Sequence, residues 1–134
     1  AIHSEILTAS LGVNGNYAKE ILTAQDIAKM EEKSLIAIQK RGGARLGDKT
    51  MVDALAPAVE ALKEHAGEGL LEMMKAAEYA AKQGVENTKQ YIAKYGRAKS
   101  LLERAIGYQD AGATSVYLIF QGMREFIEGS MENN

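Results

Sequence analysis

The chain has 134 residues, of which 46% are hydrophobic and 25% are charged, and this is ordinary for a single soluble globular domain. Its sixteen basic and eighteen acidic residues leave a formal charge of −2, which gives no electrostatic argument for binding nucleic acid or an anionic membrane. It lacks cysteine, which excludes disulfides and thiolate metal sites. It also lacks an apolar run of about 20 residues, which a membrane span requires, and a signal-like N-terminus. A cytoplasmic protein is therefore predicted.

Apolar residues recur at helical spacing along nearly the whole chain, and no alternation of period two is sustained. The sequence therefore predicts one all-α domain over residues 1–134. A first helix is expected from Ile2 to Leu11, before the turn-rich Gly12-Val-Asn-Gly15. The segment Thr23-Ala-Gln-Asp26 resembles a capping box, and it should open a helix that reaches Arg41.

Further helices are predicted after residue 50. One begins at Thr50 and contains Pro57, which should kink it at about residues 53–55 because proline removes an intrahelical donor. The next begins at Leu70 and ends near Gly84. A shorter helix over residues 85–95 with Tyr91 and Ile92 facing inward should follow, and then a helical turn at residues 101–106. The last helix has an apolar stripe before a frayed tail at residues 130–134; the stripe consists of Val116, Ile119, Phe120, Met123, Phe126 and Ile127.

The loop before the Thr50 helix is basic and rich in glycine: Arg41-Gly-Gly-Ala-Arg-Leu-Gly-Asp-Lys-Thr-Met51. Glycines let the backbone approach a ligand closely, Asp48 or Thr50 can cap the helix, and free first-turn N–H groups can meet a phosphate. The alternative is an ordinary connection between two helices, which uses the same residue types.

A second Gly/Arg-rich loop, within residues 96–115, feeds the last helix. Together the two loops resemble the nucleotide-binding (L) subunit of dihydroxyacetone kinase. The first block of that family resembles Gly47-Asp-Lys-Thr-Met-Val-Asp-Ala-Leu-Ala-Pro-Ala58 here. In the family, the second block reads approximately Gly-Arg-Ala, a spacer, Glu-Arg, Ile-Gly and then Gln-Asp-Pro-Gly-Ala-Thr-Ser. The corresponding residues of this chain lie between Gly96 and Ser115. The resemblance covers about residues 34–120.

The resemblance implies a barrel of antiparallel helices, here an incomplete one, that binds ADP or ATP with Mg²⁺. It implies phosphoryl transfer to dihydroxyacetone held on a partner kinase subunit, with the nucleotide rephosphorylated in some versions by a phosphotransferase-system donor protein. The positions that match the family's nucleotide contacts are Gly42, Met51, Arg97, Asp110, Ala111 and Gly112, with weaker support for Asp48, Lys49 and Thr50.

These site residues have structural alternatives. Arg97 could be a solvated side chain, Met51 could belong to the core, and Asp110 could be an N-cap, alone or in addition to a nucleotide contact. Two departures from the family pattern, Leu102 for glycine and Ala111 for proline, fall inside the second loop. They imply an altered nucleotide affinity or a loop that has drifted after losing its task.

The family's acidic Gly-Asp-Gly-Asp-His-Gly block, which supplies its metal carboxylates, has no counterpart in these residues. We therefore predict no catalytic or metal-binding residue and only poor binding of Mg·ATP by the chain alone. The alternative function is a non-catalytic or regulatory relative that keeps the helices to dock a partner subunit. A shortened barrel should also expose Ile6, Leu7, Leu11 and parts of the last helix, which favours a homodimer or association with the missing N-terminal fragment.

Overall fold

A computed structural model of the chain describes residues 22–94 and 104–132. Within these ranges the regular elements are four α-helices, a 3₁₀ turn at Ala66–Glu68 and 3₁₀ backbone at residues 104–105, with no strand. The helices are α1 (Ala24–Gly42), α2 (Val52–His65), α3 (Leu70–Thr88) and α4 (Ala111–Glu132). The all-α prediction is confirmed, whereas closure into an antiparallel barrel stays a prediction. The expected first helix, Arg97 and Leu102 lie outside the described residues.

The predicted capping box opens α1. The hydroxyl of Thr23 accepts the N–H of Asp26 at 3.1 Å, and the Asp26 carboxylate accepts the N–H of Thr23 at 3.0 Å. The same bond from the Thr23 N–H is the main reason that the pKa of Asp26 is lowered. The helix ends at Gly42, and Gly43 follows in the left-handed conformation with its N–H donating to the Gln39 carbonyl.

Helix α2 is the centre of the fold, because it contacts each of the other three helices. Eight of its 14 residues are buried, as expected for a helix covered on several sides. The larger core side chains come from α2, α3 and α4, and they are Leu55, Val59, Leu62, Met73, Met74, Val85, Val116 and Phe120. Pro57 lies within α2, and the kink expected there stays a prediction.

The prediction that a helix ends near Gly84 and a separate one spans residues 85–95 is wrong. Helix α3 continues through Gly84 to Thr88, and residues 89–94 form a turn and irregular backbone. Gly84 is a packing residue, since a Cβ there would lie 2.1 Å from the carbonyl oxygen of Asp53 on α2. Close packing of two helices outweighs the roughly 1 kcal/mol that glycine costs a helix interior. Of residues 89–94, Ala93 is buried and Tyr91 is half-buried, whereas Ile92, which was expected to face inward, is 46% exposed.

Helix α4 departs from its predicted pattern in two respects. Val116 and Phe120 are buried as expected, but Ile119 and Phe126 are 55% and 75% exposed. The helix also includes residues 130–132, which we expected to be part of a frayed tail. An apolar cavity of about 440 Å³ runs along this exposed side of α4; it is lined by Ile27, Leu70, Met74, Leu118, Ile119, Gly122, Met123, Phe126 and Ile127. Among the helices described, none combines the length and the hydropathy needed to cross a membrane.

Candidate nucleotide site

The first loop is folded around the carboxylate of Asp53, which is 2% exposed in the first turn of α2. One carboxylate oxygen accepts the N–H of Gly47 at 2.6 Å, and the other accepts the N–H of Thr50 at 2.8 Å. Sequence reasoning missed this residue. The available signal was an acidic side chain in the first turn of a helix, where it can accept otherwise unpaired backbone N–H groups.

Asp48 joins the first loop to the chain that follows α3. Its carboxylate accepts the Arg45 N–H at 3.0 Å and pairs with the Lys94 ammonium at 2.9 Å. The hydrogen bond from Arg45, followed by the one from Lys94, lowers the pKa of Asp48. Asp48 thus stabilises the loop itself. Of the two predicted caps, it is the Thr50 hydroxyl that accepts an N–H of α2, from Val52 at 3.2 Å.

Lys49 points into the protein and is 2% exposed. Its ammonium donates to the carbonyl of Thr88 at 2.6 Å, to that of Ala105 at 3.0 Å and to that of Tyr108. Burial lowers the pKa of Lys49, while the nearby carboxylates of Asp110 and Asp53 oppose that shift. Since an ammonium has three N–H groups, these contacts use all of them. A supporting contact from Lys49 to a nucleotide stays a prediction.

Asp110 caps α4, which was one of the two roles considered for it. Its carboxylate accepts the Ala113 N–H at 2.9 Å, and its own N–H donates to the Thr88 hydroxyl at 2.9 Å. Thr88 is fully buried, and its hydroxyl donates to the Val85 carbonyl at 2.5 Å. The end of α3 therefore holds the start of α4.

The two loops meet where Gly112 lies against Met51. A Cβ built on Gly112 would lie 3.4 Å from the Met51 Cβ and 3.2 Å from the Asp110 carboxylate, so glycine permits this approach. Met51 is half-buried and also packs against the core. The described part of the second loop, residues 104–110, and the start of α4 thus adjoin the first loop. Gly42 ends α1 with open space on its Cβ side, and Arg97 is not among the described residues.

The chemistry of this junction suits an anionic group. Ala111 and Gly112 are the first two residues of α4, and N–H groups at these positions have no acceptor within the helix. The helix dipole adds partial positive charge there. A metal ion fits the described residues less well than an anionic group does. Asp48, Asp53 and Asp110 are each engaged by N–H groups or Lys94, and no group of three potential metal ligands occurs in residues 22–94 and 104–132.

Comparison with known proteins gives matches over most of the chain. The DAK2 domain family model matches residues 1–125. The ADP-binding subunit DhaL of the PEP-dependent dihydroxyacetone kinase of Escherichia coli is 37% identical over 106 residues, which are 78% of this chain and 50% of that protein. The ADP-binding subunit DhaL of the PEP-dependent dihydroxyacetone kinase 1 of Listeria innocua is 36% identical over 116 residues, 87% and 54% of the two chains. An L-erythrulose kinase of Pectobacterium atrosepticum is 40% identical over 84 residues, 61% and 14% of the two chains. The chain spans about half the length of the two subunits.

Proposed function

The chain belongs to the DAK2 domain family, and from that membership we propose that it binds ADP or ATP as part of a dihydroxyacetone kinase. The whole protein would support phosphoryl transfer to dihydroxyacetone held by a partner subunit in the cytoplasm. The observation that carries the proposal is the contact of Met51 with Gly112 at the capped start of α4. Relatives described as ADP-binding subunits support it.

In this proposal, some of the residues contact the adenine base and the others contact the phosphates of the nucleotide. The polarizable Met51 side chain lies against the adenine. The N–H groups of Ala111 and Gly112 face phosphate oxygens, with Asp110 holding the helix start in place. Gly42 and Arg97 also contact the phosphates in this proposal. Gly42 has no side chain to keep a phosphate away from the backbone, and the Arg97 guanidinium can donate hydrogen bonds to a phosphate.

The partners belong to the same proposal. Dihydroxyacetone would be presented by a second kinase subunit, and a phosphotransferase-system protein would regenerate ATP from bound ADP. Bound Mg²⁺ would neutralise phosphate charge. Since the described carboxylates are already engaged, other residues of the whole protein would have to hold that ion.

An NMR titration of the 134-residue chain with ADP tests the proposal. With methionine methyl groups labelled, ADP should shift the Met51 methyl and the Gly112 amide. The Met131 methyl, 51% exposed near the other end of α4, is the internal control and should not move. We expect weak binding with little dependence on Mg²⁺. Shifts that are absent, or equal at Met51 and Met131, would contradict the nucleotide site. Tight binding that depends on Mg²⁺ would contradict the proposal that these residues do not hold the metal ion.

We also propose that a second copy of the chain covers the exposed apolar side of α4. Leu118, Ile119 and Phe126 are more than half exposed there beside the apolar cavity, and monomeric proteins rarely leave such a patch open. Sedimentation analysis coupled to intact-mass spectrometry should show a dimer that Phe126→Glu weakens at least about tenfold, equivalent to ~1.4 kcal/mol. A monomer at every concentration, or a co-purified peptide on this surface, would overturn the homodimer.

A further inference from the structure

We propose that Lys49 is a positioning residue, whose ammonium holds residues 105–108 of the second loop and the start of α4 against Met51, and so sets the shape of the nucleotide site in place of the supporting nucleotide contact that the family resemblance implies. The effect on nucleotide affinity rests on the proposed function. The effect on loop position does not.

The three acceptors of Lys49 come from distant parts of the chain. Thr88, Ala105 and Tyr108 follow Lys49 by 39, 56 and 59 residues. Thr88 ends α3, whereas Ala105 and Tyr108 belong to the second loop. One side chain therefore joins the first loop to two other segments at a single point.

The backbone at Lys49 is arranged to deliver this side chain. Lys49 has a φ of 62°, in the left-handed region that residues with a Cβ seldom adopt. Asp53 holds the backbone on both sides of it, through the N–H groups of Gly47 and Thr50. A strained conformation persists only where the surroundings over-determine it. The buried hydrogen bonds of the ammonium offset the free energy that this backbone conformation costs.

A chain of hydrogen bonds then connects Lys49 to the proposed site. The carbonyl of Thr88 accepts from Lys49, and the Thr88 hydroxyl accepts the N–H of Asp110. Asp110 caps α4, so it determines where Gly112 lies relative to Met51. Without the ammonium, the three carbonyls would lose the donor that they share. Those of Thr88 and Ala105 would keep only the N–H groups of Tyr91 and Tyr108, and residues 105–108 would move away from the first loop.

The charge of Lys49 fits this role. A buried ammonium is costly unless hydrogen bonds and opposite charges compensate it. Here carbonyl oxygens surround it, and the carboxylates of Asp53 and Asp110 favour its charged form. An apolar side chain of similar length would fill the space but could not hold the carbonyls.

The test compares Lys49→Met with Lys75→Met in the 134-residue chain. Lys75 is an exposed residue of α3 that pairs with Glu72 at 3.7 Å, so its replacement removes the same groups from the surface. Two NMR readouts need no ligand: the nuclear Overhauser effect between the Met51 β-protons and the Gly112 α-protons, and the hydrogen exchange rates of the Asp110 and Ala113 amides. Lys49→Met should abolish the first and accelerate the exchange about tenfold or more, with no change in Lys75→Met. An unchanged contact and unchanged exchange would overturn the proposal.

Titration with ADP then separates the two proposals. If the parent chain binds ADP, Lys49→Met should weaken binding at least about tenfold relative to Lys75→Met, and equal affinity would overturn the positioning role. If the parent chain does not bind ADP, the proposed function fails, and the contact and exchange measurements still decide the role of Lys49.

A second variant covers the case in which Lys49→Met does not fold. Lys49→Arg keeps the charge, but a planar guanidinium cannot direct donors to three acceptors that converge on one point. We expect it to fold with faster exchange at Asp110 and Ala113 than the parent chain. Parent-like exchange and an intact Met51 to Gly112 contact in Lys49→Arg would show that the convergent ammonium is not needed, which would overturn the proposal.

Discussion

Gly84 on α3 lies directly against the backbone of Asp53 on α2, where a Cβ would come within 2.1 Å of the carbonyl oxygen. Four residues after Asp53 the chain has Pro57, so this carbonyl has no N–H to accept from its usual partner within the helix. The carboxylate of the same Asp53 folds the first loop. The contact between α2 and α3 and the shape of the candidate site thus depend on one residue.

Gly84→Ala should destabilise the protein, although alanine is the better helix former. The added methyl group has no space, so α2 and α3 must move apart. Overpacking of this kind costs about 1–3 kcal/mol or more, and this outweighs a propensity gain of about 1 kcal/mol. Urea denaturation followed by circular dichroism measures the change in the free energy of unfolding.

Gly129→Ala is the matched control for that experiment. Gly129 is a residue of α4 that does not line the apolar cavity and has nothing within 4 Å of an added Cβ. Here the same substitution should stabilise by about 0.5–1 kcal/mol. If the two variants changed stability equally, the close approach of Gly84 to Asp53 would not be a determinant of stability.

Asp53→Asn should loosen the first loop. Asparagine can accept only one of the two N–H groups at Gly47 and Thr50, and the lost charge weakens the remaining bond. We expect the free energy of unfolding to fall by about 1–3 kcal/mol. Glu60→Gln, on the exposed side of α2, should change it by less than about 0.5 kcal/mol. Equal effects of the two substitutions in urea denaturation would show that the Asp53 carboxylate does not stabilise the loop.

Asp48 should make the stability of the protein depend on pH in the acid range. Its pKa in the folded protein is lowered by the N–H of Arg45 and by Lys94, from an ordinary value of 3.8. The ionised form therefore stabilises the fold above pH 3.8, and this contribution is lost as the pH falls through the lowered folded pKa. At pH 7, Asp48→Asn should cost about 1–3 kcal/mol. Denaturation curves at pH 7, 5 and 3 should show that cost shrinking at the lowest pH, and a constant difference would contradict the assignment.

Arg124→Met should weaken the contact between α3 and α4. The Arg124 guanidinium binds Glu78 with two hydrogen bonds, of 2.6 and 3.0 Å, and Glu128 with a third of 2.9 Å. These bonds, first those to Glu78, raise the pKa of Arg124. Since the guanidinium binds the Glu78 carboxylate with two hydrogen bonds, we expect a loss of stability in thermal or urea unfolding that exceeds the loss from breaking an exposed pair with a single contact.

Lys63→Met provides the comparison for Arg124→Met. The exposed Lys63 pairs with Glu32 at 3.4 Å through one contact, and such pairs contribute about 0–1 kcal/mol. A larger loss from Lys63→Met than from Arg124→Met would mean that the bidentate geometry on α3 and α4 carries little stability.

The sequence by itself determined the local features of this protein. Thr23 and Asp26 lie three residues apart, so their reciprocal bonds could be predicted from spacing alone. The same holds for Asp110 as a cap and for the helical character of the described ranges, because each depends on contacts within a turn or two. The two glycine-rich loops also identified the family, since a motif is a local pattern of residues.

Tertiary structure decided which of these residues meet and which stay exposed. Lys49 acts through carbonyls 39 to 59 residues away, and no local pattern predicts backbone acceptors at that distance. Gly84 reads as a helix end in the sequence, yet its missing side chain is what lets α3 pack on Asp53. Ile119 and Phe126 fit the apolar stripe of α4 but remain exposed. Helical spacing determines which side chains share a face, whereas burial depends on which neighbouring helices cover that face.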